Sequence, residues 1–434
     1  MEYKIQKVKL KDVCKIEKGK IGITKAVKGE YPLVVTAEER LSHNEWHFNE
    51  PATIVPLVSS TGHGHASIKR LHYADGKYAV GNILATLIPI DHDYLNAKYL
   101  YVYLTINKEE LLVSQMTGAA NVSLTLTRLA DVEIEIPDYT TQLKVIKRYE
   151  DSESYKNQMG AQIEVRSQLI ENLRQQILQD AITGKLSEKW RKENPDVDSA
   201  EILLGKIKAE KEKLIKEGKI RKQKSLPPIS EEEIPFELPN GWVWCRLGEI
   251  IEYSENLDIH RYLPQSSIVN YIDIDSIDNV NQTIREVKQR SVNELSTRAR
   301  RVLKKGYILY STVRPYLKNI AVIDQELENF IGSTGFNVFR PLQINLMYIF
   351  NYLLTSYVNE TFKALMVGFN SPSITNEQFE KVLLPLPPLA EQQYIVERIE
   401  SLFIKIDRIN QINNENLTMV DLLNKVSLKE LFGN

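Results

Sequence analysis

The sequence of 434 residues contains few cysteines, no long apolar run and no large excess of charge of either sign. Cys14 and Cys245 lie far apart, and neither stands at metal-ligand spacing, which favours reduced thiols over a disulfide framework. An uninterrupted apolar run of 18 residues does not occur, so a membrane span is not expected. The N-terminal residues also lack the apolar segment of a secretory signal. These absences predict a cytoplasmic protein.

The composition is that of an ordinary globular chain, with 43% hydrophobic and 26% charged residues. A chain of this length is expected to form about two to four units. The formal net charge of -2 argues against a uniformly basic coat for nucleic acid. A DNA-binding protein with its positive charge gathered on one face remains compatible with that value.

The C-terminal part of the chain repeats the N-terminal part. Residues 116–150 align with residues 366–400 without a gap and share nine identities, where chance would give roughly two. Near the front of each copy, Leu10 stands opposite Leu247, an offset of 237 instead of 250 residues, so the second copy holds about 13 extra residues. The period is far longer than that of a solenoid, so the pattern predicts one duplicated unit.

Each copy runs through the same order of patterns. Strand-like runs with turn residues come first, then a short helical pattern, a strand-like run ending in proline, and a long helical pattern. Proline lacks an N–H and fixes φ, so Pro137 and Pro387 mark the entry to a helix. This order predicts five segments: a globular domain at 1–138, a long helix at 139–184, a connector at 185–238, a second globular domain at 239–388 and a second long helix at 389–434.

Narrow apolar stripes with heptad spacing follow both long helical patterns, as in coiled coils. We interpret them as two equivalent seams that pair in antiparallel orientation within one chain, which would give the chain a pseudo-two-fold arrangement. Alternatively, the stripes are faces packed on a globular core. The residues of the expected seams are Met159, Ile163, Ile170, Leu173, Ile177, Ile395, Ile399, Leu402, Ile406, Ile409, Val420 and Leu423.

The connector holds a basic run followed by a proline-rich stretch. Residues 206–224 contain nine Lys or Arg and three Asp or Glu, and an acidic triplet stands at 231–233. A charge run of this kind is most often a solvated helix. The expected fold class is therefore mixed α/β: two similar α/β domains separated by long antiparallel coiled-coil helices.

Several distinctive stretches occur together in this sequence. They are GKLSEKWRKENPD, KAEKEKLIKEGKIRKQKSLPPI, EEIPFELPNGWVWCRLGEI, SPSIT with PLPPLAEQQ, and LYSTVRPYLKNIAV followed by STGFNVFRP. With this set, the sequence resembles the specificity subunit of Type I restriction-modification systems over essentially the whole chain. The resemblance implies two target-recognition domains, each reading one half of a bipartite DNA sequence. It also implies a helical spacer that docks two methylation subunits, which would bind S-adenosylmethionine, with restriction subunits as possible further partners.

The sequence lacks the motifs that the chemistry of such a complex needs. No G-x-x-x-x-G-K-[ST] phosphate loop occurs, so ATP hydrolysis is not expected. An Asn-Pro-Pro-aromatic motif for a flipped adenine is also missing, because the proline pairs at 227–228 and 387–388 follow leucine. We therefore predict a chain without catalytic residues, cofactor or metal. A scaffold for assembly, without its own DNA readout, is the alternative.

Candidate DNA contacts in the first copy come from a glycine-flanked loop, STGHGHASIKR, and from the lysine-rich N-terminal part of the chain. A metal site made of the loop histidines and His72 is disfavoured because no Cys or carboxylate completes the ligand set. An ordinary exposed hairpin is the other alternative. The candidates are His63, His65, Lys69, Arg70 and Lys20.

Residues 285–318 of the second copy hold ten Lys or Arg and only two Asp or Glu. Clustered cations bind phosphates without reading sequence, whereas bases are read by planar or bidentate groups. The phosphate candidates are Arg298, Arg300, Arg301, Lys304 and Lys305. The candidates for base contact are Arg314, Tyr316, Lys318, Ser333 and Thr334, although STVRPYLK fits a role in positioning the backbone equally well.

Overall fold

Both copies begin with a short strand that pairs with the strand just before the long helix. The computed structural model describes residues 5–61, 65–119, 122–222, 224–326 and 328–430, and this part of the chain is mixed α/β as predicted. Contacts divide it into two units. The first consists of the described residues of 1–164 and 412–434, and the second of residues 165–411.

The first copy and the connector hold nine strands and seven α-helices among the described residues. They are β1 (Gln6–Lys9), α1 (Leu10–Val13), β2 (Cys14–Lys18), β3 (Tyr31–Val34), β4 (Leu41–His43), β5 (Ala52–Pro56), β6 (His72–Ala74), β7 (Ala79–Val80), β8 (Leu84–Pro89), α2 (Ala97–Ile106), α3 (Lys108–Leu111), α4 (Leu126–Ala130), β9 (Glu133–Ile136), α5 (Tyr139–Ile182), α6 (Glu188–Glu193) and α7 (Ala200–Lys216).

The second copy holds twelve strands and six α-helices in its described part. They are β10 (Val243–Arg246), α8 (Leu247–Ile250), β11 (Ile251–Tyr253), α9 (Ile259–Tyr262), β12 (Ile268–Ile272), β13 (Ile277–Asp278), β14 (Thr283–Ile284), β15 (Lys288–Ser291), β16 (Ala299–Val302), β17 (Ile308–Ser311), β18 (Ile320–Val322), β19 (Phe330–Ser333), β20 (Phe336–Pro341), α10 (Leu346–Leu353), α11 (Ser356–Leu365), α12 (Asn376–Lys381), β21 (Leu383–Leu386) and α13 (Leu389–Glu430).

A framework of six strands is common to the two copies. The antiparallel pair β1–β9 corresponds to β10–β21, and the antiparallel sheet β2-β8-β5-β6 corresponds to β11-β20-β17-β18. Their registers match, since Cys14 pairs with Pro89 and Ile251 pairs with Pro341. The repeat inferred from the sequence is thus present in the fold.

A second sheet differs between the copies. In the first copy it has the order β4-β3-β7, with β3–β4 antiparallel and β3–β7 parallel. The second copy repeats this pattern as β15-β12-β19 and adds β16 at the edge, together with the small hairpin β13–β14. The offset between the copies rises from 237 residues at Leu10/Leu247 to 255 at Ile54/Leu309, so the additions fall between these points.

A buried glutamine fastens each long helix to its domain. The Gln142 Oε1 atom accepts a hydrogen bond from the backbone N–H of Asn96 at 2.9 Å, and its Nε2 donates to the carbonyl of Pro137 at 3.0 Å. Gln392 makes the same two bonds in the second copy. Its Oε1 atom accepts from the backbone N–H of Asn345 at 3.0 Å, and its Nε2 donates to the carbonyl of Pro387 at 2.9 Å. The matching prolines and glutamines of the repeat therefore mark one structural device, the junction between domain and helix.

The core of the second unit includes parts of both long helices and of the connector. The last turns of α5, one face of α7 and the first half of α13 pack with the strands and helices of the second domain in one cluster. Its helical members include Ile177, Leu178, Ala181, Ile182, Leu203, Leu204, Ile207, Ile395, Val396, Ile399 and Ile406. The C-terminal turns of α5 and the N-terminal half of α13 are therefore part of a globular core.

The expected seam is divided among three environments. Ile177, Ile395, Ile399 and Ile406 are buried, and Ile170 and Leu402 pack at the edge of the same core. Met159, Ile163 and Val420 are half-buried. Leu173, Ile409 and Leu423 are 47%, 52% and 58% exposed, so the chain alone does not bury a continuous seam there. In a straight helix, positions seven residues apart do not lie on exactly the same face. The buried face of α5 therefore includes Leu178, outside the heptad stripe, while Leu173 of the stripe is exposed.

The basic helix of the connector is not solvated on every side, contrary to expectation. Leu203, Leu204 and Ile207 of α7 are buried, and the Lys211 ammonium donates hydrogen bonds to the backbone carbonyls of Gly248 and Ile251. Burial lowers the pKa of Lys211 to about 8. The charge run therefore marks the outer face of an amphipathic helix.

The helices of the described part of the chain differ widely in length, from single turns to the 44 residues of α5. None of them combines the length and the apolar character that crossing a bilayer requires.

Candidate nucleic-acid interface

The predicted loop of the first copy contributes exposed polar groups. His63 lies outside the described residues. His65 is exposed, and its carbonyl accepts a hydrogen bond from the Ser59 hydroxyl at 2.6 Å. Lys69 is also exposed, and its backbone N–H donates to the Ser60 hydroxyl at 2.9 Å. These bonds fix the backbone of the loop while the two side chains face solvent.

The other two cations of the first copy have partners inside the domain. The Arg70 guanidinium lies 2.6 Å from the Glu38 carboxylate, and the Lys20 ammonium stands 5.1 Å from the centre of the Phe48 ring. An ion pair at the surface contributes little to stability, so the contact with Glu38 holds Arg70 only weakly.

His72, which was considered as a possible metal ligand, belongs to the framework sheet. It is buried in β6 opposite Ile54, and its Nε2 atom has no hydrogen-bond partner among the described residues. Burial lowers the pKa of His72 to about 4, which keeps the ring neutral.

The basic cluster of the second copy lies on and around β16, which has no counterpart among the described strands of the first copy. Arg298 precedes β16, Arg300 and Arg301 lie in it, and Lys304 and Lys305 follow it. Arg298, Lys304 and Lys305 are exposed, whereas the other two are half-buried. The cluster is thus a property of one copy, carried by an edge strand.

Several cations of this cluster have neighbours within the domain. Arg300 donates to the Thr297 carbonyl at 2.8 Å, and Lys304 pairs with Glu255 at 3.1 Å. Arg301 donates to Asn256 at 3.2 Å, and burial lowers the pKa of its guanidinium. Arg301 is therefore held in place by the domain.

Strand pairing brings the glycine-bounded STG turn to the basic cluster. The Thr334 N–H donates to the Arg298 carbonyl at 2.8 Å, because β16 and β19 are neighbours and Ala299 pairs with Ser333. The Ser333 side chain is buried and its hydroxyl accepts from the Gly335 N–H at 3.1 Å. Of the two turn residues, only Thr334 is positioned at the surface, half exposed.

STVRPYLK forms a left-handed kink against the SPSIT turn. Arg314 and Lys318 have φ values of 48° and 52°. The Arg314 N–H donates to the Pro372 carbonyl at 2.8 Å, and its guanidinium donates to the Asn370 carbonyl at 3.1 Å. Two non-glycine residues with positive φ are strained, so the surrounding contacts must hold them. This geometry favours the positioning role for Arg314.

The remaining two residues of that motif differ in exposure. Tyr316 is 37% exposed. Lys318 is half-buried, and burial lowers the pKa of its ammonium. Tyr316 is thus the more accessible of the two.

A residue that the sequence analysis did not select stands at the tip of the same turn. Phe369 is fully exposed, next to Gly368 with a φ of 110° and beside the Asn370 carbonyl that binds Arg314. Its equivalent in the first copy is Ala119. An aromatic residue in a polar turn was the signal that could have identified it.

The fold and the surface define a class of protein: a duplicated α/β chain whose copies share a framework and differ in their second sheet, which carries exposed cations in the second copy. The family model described as "Type I restriction modification DNA specificity domain" matches residues 2–164 and 239–416. The chain belongs to this family, and the two matches coincide with the two copies.

Curated relatives agree with this assignment. The chain is 32% identical over 265 residues to the Type I restriction enzyme EcoAI specificity subunit of Escherichia coli, covering 58% of this chain and 42% of that subunit. That match thus spans less than half of the relative's length. Over 430 residues it is 24% identical to the EcoDI specificity subunit of Escherichia coli, covering 98% and 87% of the two chains.

A solved structure has a similar fold along the whole chain. It comes from work on the structural basis of complex assembly and conformational transition of the type I R-M system. The TM-score is 0.56 at 16% identity, covering 99% of this chain and 97% of that one.

Proposed function

We propose that this chain is the non-catalytic DNA-specificity subunit of a Type I restriction-modification complex in the cytoplasm. Each recognition domain reads one half of a bipartite target, and the long helices set the spacer. The observation that carries the proposal is the duplication: the family's DNA specificity domain matches twice, on two copies with a common framework and different second sheets. Two different surfaces on one framework suit a target with two different halves.

The proposed partners are double-stranded DNA and two methylation subunits, with restriction subunits as an optional addition. S-adenosylmethionine would be bound by the methylation subunits. Exposed apolar residues on the long helices, such as Leu173, Ile409 and Leu423, support docking of other subunits there, because they leave apolar surface uncovered in the chain alone.

The proposed DNA contacts rank first by exposure and then by how firmly the domain holds each side chain. In the second domain, Arg298 and Lys305 are exposed and suit phosphate binding. Thr334 reaches the surface beside Arg298 through strand pairing, and Tyr316 is exposed within STVRPYLK. In the first domain, His65 and Lys69 rank first as proposed DNA contacts because they are exposed, and Arg70 and Lys20 rank second. Arg301, Arg314, Lys318 and Ser333 would act by positioning the surface.

The decisive test uses the chain reconstituted with methylation subunits. We expect salt-dependent binding to a duplex that holds both half-sites, and single-molecule mapping should find methylated adenines at one bipartite sequence. An assembly scaffold without DNA readout would bind every duplex equally at each salt concentration, and that result would refute the proposal. Methylation by the isolated chain would refute its non-catalytic role.

The phosphate role of the basic strand is testable in the same complex. Arg298→Ala with Lys305→Ala should weaken binding to all sequences alike and reduce the slope of log K against log salt by about 0.9 for each phosphate that is no longer neutralised. Lys189→Ala, an exposed lysine on α6, is the matched control. A slope equal to that of the control would exclude both cations from the interface.

A further inference from the structure

Three residues with metal-ligating side chains alternate where the chain leaves β4 in the first copy. His43 ends the strand, and Glu45 and His47 follow at every second position. One ligand atom from each lies within 4.8 Å of the other two. Among the described residues this is the one such group of three. It stands in the second sheet, where the two copies differ.

His43 is held as metal-binding histidines usually are. The side chain is buried, and its Nδ1 lies 3.2 Å from the Val27 carbonyl oxygen. When Nδ1–H donates to that carbonyl, Nε2 is left with a free lone pair, which is the usual support for a ligating imidazole. The Val27 N–H is also 3.2 Å from Nδ1 and would suit the other tautomer. Metal binding would select the first.

His47 supplies an independent observation. Its Nδ1 atom is buried and has no hydrogen-bond partner among the described residues. An unpaired polar nitrogen inside a protein is costly, so such an atom calls for a ligand or an ordered water. The His43 and His47 rings lie 5.7 Å apart between centres, close enough for both to reach one ion.

Glu45 completes the set with an exposed carboxylate. Two imidazoles and one carboxylate suit zinc, which takes nitrogen and oxygen donors and often leaves a fourth position to water. Magnesium and calcium prefer oxygen donors alone and fit the set poorly. We propose that His43, Glu45 and His47 bind one Zn²⁺ ion.

The ion would stiffen one edge of the first recognition domain. The His47 and Phe48 backbone N–H groups already donate to the Tyr78 carbonyl at 2.9 and 3.1 Å. Zinc would join the end of β4 to this anchored segment and fix the turn that presents Trp46, which is 43% exposed. In the second copy, matching the pair Val34–Val80 with the pair Ile272–Gly332 places Arg290 at the register position of His43.

The test measures zinc bound to the purified full-length chain without an affinity tag. After dialysis against Zn²⁺ with a weak competing chelator, we expect one zinc per chain by mass spectrometry, and Co²⁺ should give the visible absorption of a site with nitrogen and oxygen ligands. Glu45→Gln and His47→Ala should each reduce zinc affinity by more than the roughly 10- to 100-fold that loss of an outer-shell partner costs.

The control is His92→Ala, which removes an exposed histidine that lies 3.7 Å from Glu50 elsewhere in the domain. It should bind zinc as the unchanged chain does. Glu45 is exposed, so Glu45→Gln should keep the circular dichroism spectrum and the zinc-free Tm while losing the rise in Tm that zinc causes. No zinc bound to the unchanged chain, or equal affinity in Glu45→Gln and His92→Ala, would overturn the proposal.

Discussion

The two copies agree where each domain joins its long helix and differ in their second sheet. At the junction, Asn96 caps α2 and Asn345 caps α10. The Tyr99 hydroxyl donates to the Glu135 carbonyl at 2.7 Å, and the Tyr348 hydroxyl donates to the equivalent Pro385 carbonyl at 2.6 Å. In the second sheet, by contrast, the second copy adds β16 and a hairpin. Buried polar groups have few allowed arrangements, whereas an edge strand tolerates additions.

The helix starts also differ in how they are held. Within the described part of the chain, the Thr141 hydroxyl of the first copy donates to one acceptor, the local cap residue Asp138, at 2.7 Å. Its equivalent, Glu391, is 1% exposed and accepts from Ser187 at 2.6 Å, from Arg191 at 2.5 Å and from Trp242 at 2.9 Å. The start of α13 is thus attached to the connector through Ser187 and Arg191, whereas the start of α5 is held by a local cap.

Glu391→Thr should have the largest effect, because it places the residue of the first copy in the second. The buried Trp242 indole N–H would lose its acceptor and the partly buried Arg191 would lose its carboxylate partner, and breaking a buried pair costs about 3–5 kcal/mol. Urea unfolding of the full chain would measure the loss. Thr141→Ala is the control and should cost about 1 kcal/mol or less. Equal effects would mean that the two helix starts are held alike.

Gln142→Leu and Gln392→Leu test the agreement between the copies. Each removes one buried amide and leaves an asparagine N–H and a proline carbonyl unpaired, so each should lower the free energy of unfolding by about 1–3 kcal/mol. Hydrogen exchange would locate each loss at the junction of its own copy. A large effect in one copy and none in the other would break the comparison.

Arg246→Lys tests the attachment of the proline-rich connector. Arg246 binds the Glu233 carboxylate through two contacts of 3.0 and 2.9 Å and donates to the carbonyls of Pro227 and Pro228. Its equivalent in the first copy is Lys9. Lysine cannot form the fork, so the loss should be about 1 kcal/mol, with faster proteolysis near residue 230. Lys9→Arg should leave cleavage there unchanged.

His72→Ala should be recognised by its effect in acid and not by its effect at neutral pH. The equivalent residue of the second copy is Ala321. Burial lowers the pKa of His72 from 6.5 to about 4. Between these values the unfolded chain binds a proton that the folded chain does not, so the free energy of unfolding falls as pH falls.

The His72→Ala variant should lose this part of the pH dependence, whatever its stability at pH 7. Urea unfolding between pH 4 and pH 7 would show the difference. An unchanged slope in that window would mean that another group causes the acid sensitivity of the first domain.

Much of the fold was predictable because it rests on local signals that occur twice. The prolines before α5 and α13, the matched glutamines and the 237-residue offset at Leu10 led to a duplicated α/β chain with two long helices. The candidate surface was harder to predict. Arg298 and Lys305 stood out as a charge cluster, but Arg301 and Lys318 are half-buried and Ser333 is buried, which a charge count does not reveal.

The sequence by itself determined the repeat, the helix entries and the family, because identities at a fixed spacing survive without any knowledge of contacts. Only the tertiary structure decided which apolar stripe residues join a core and that Glu391 anchors the connector. These features depend on residues brought together by strand pairing and helix packing. Spacing along the chain does not fix the distances between side chains on different elements.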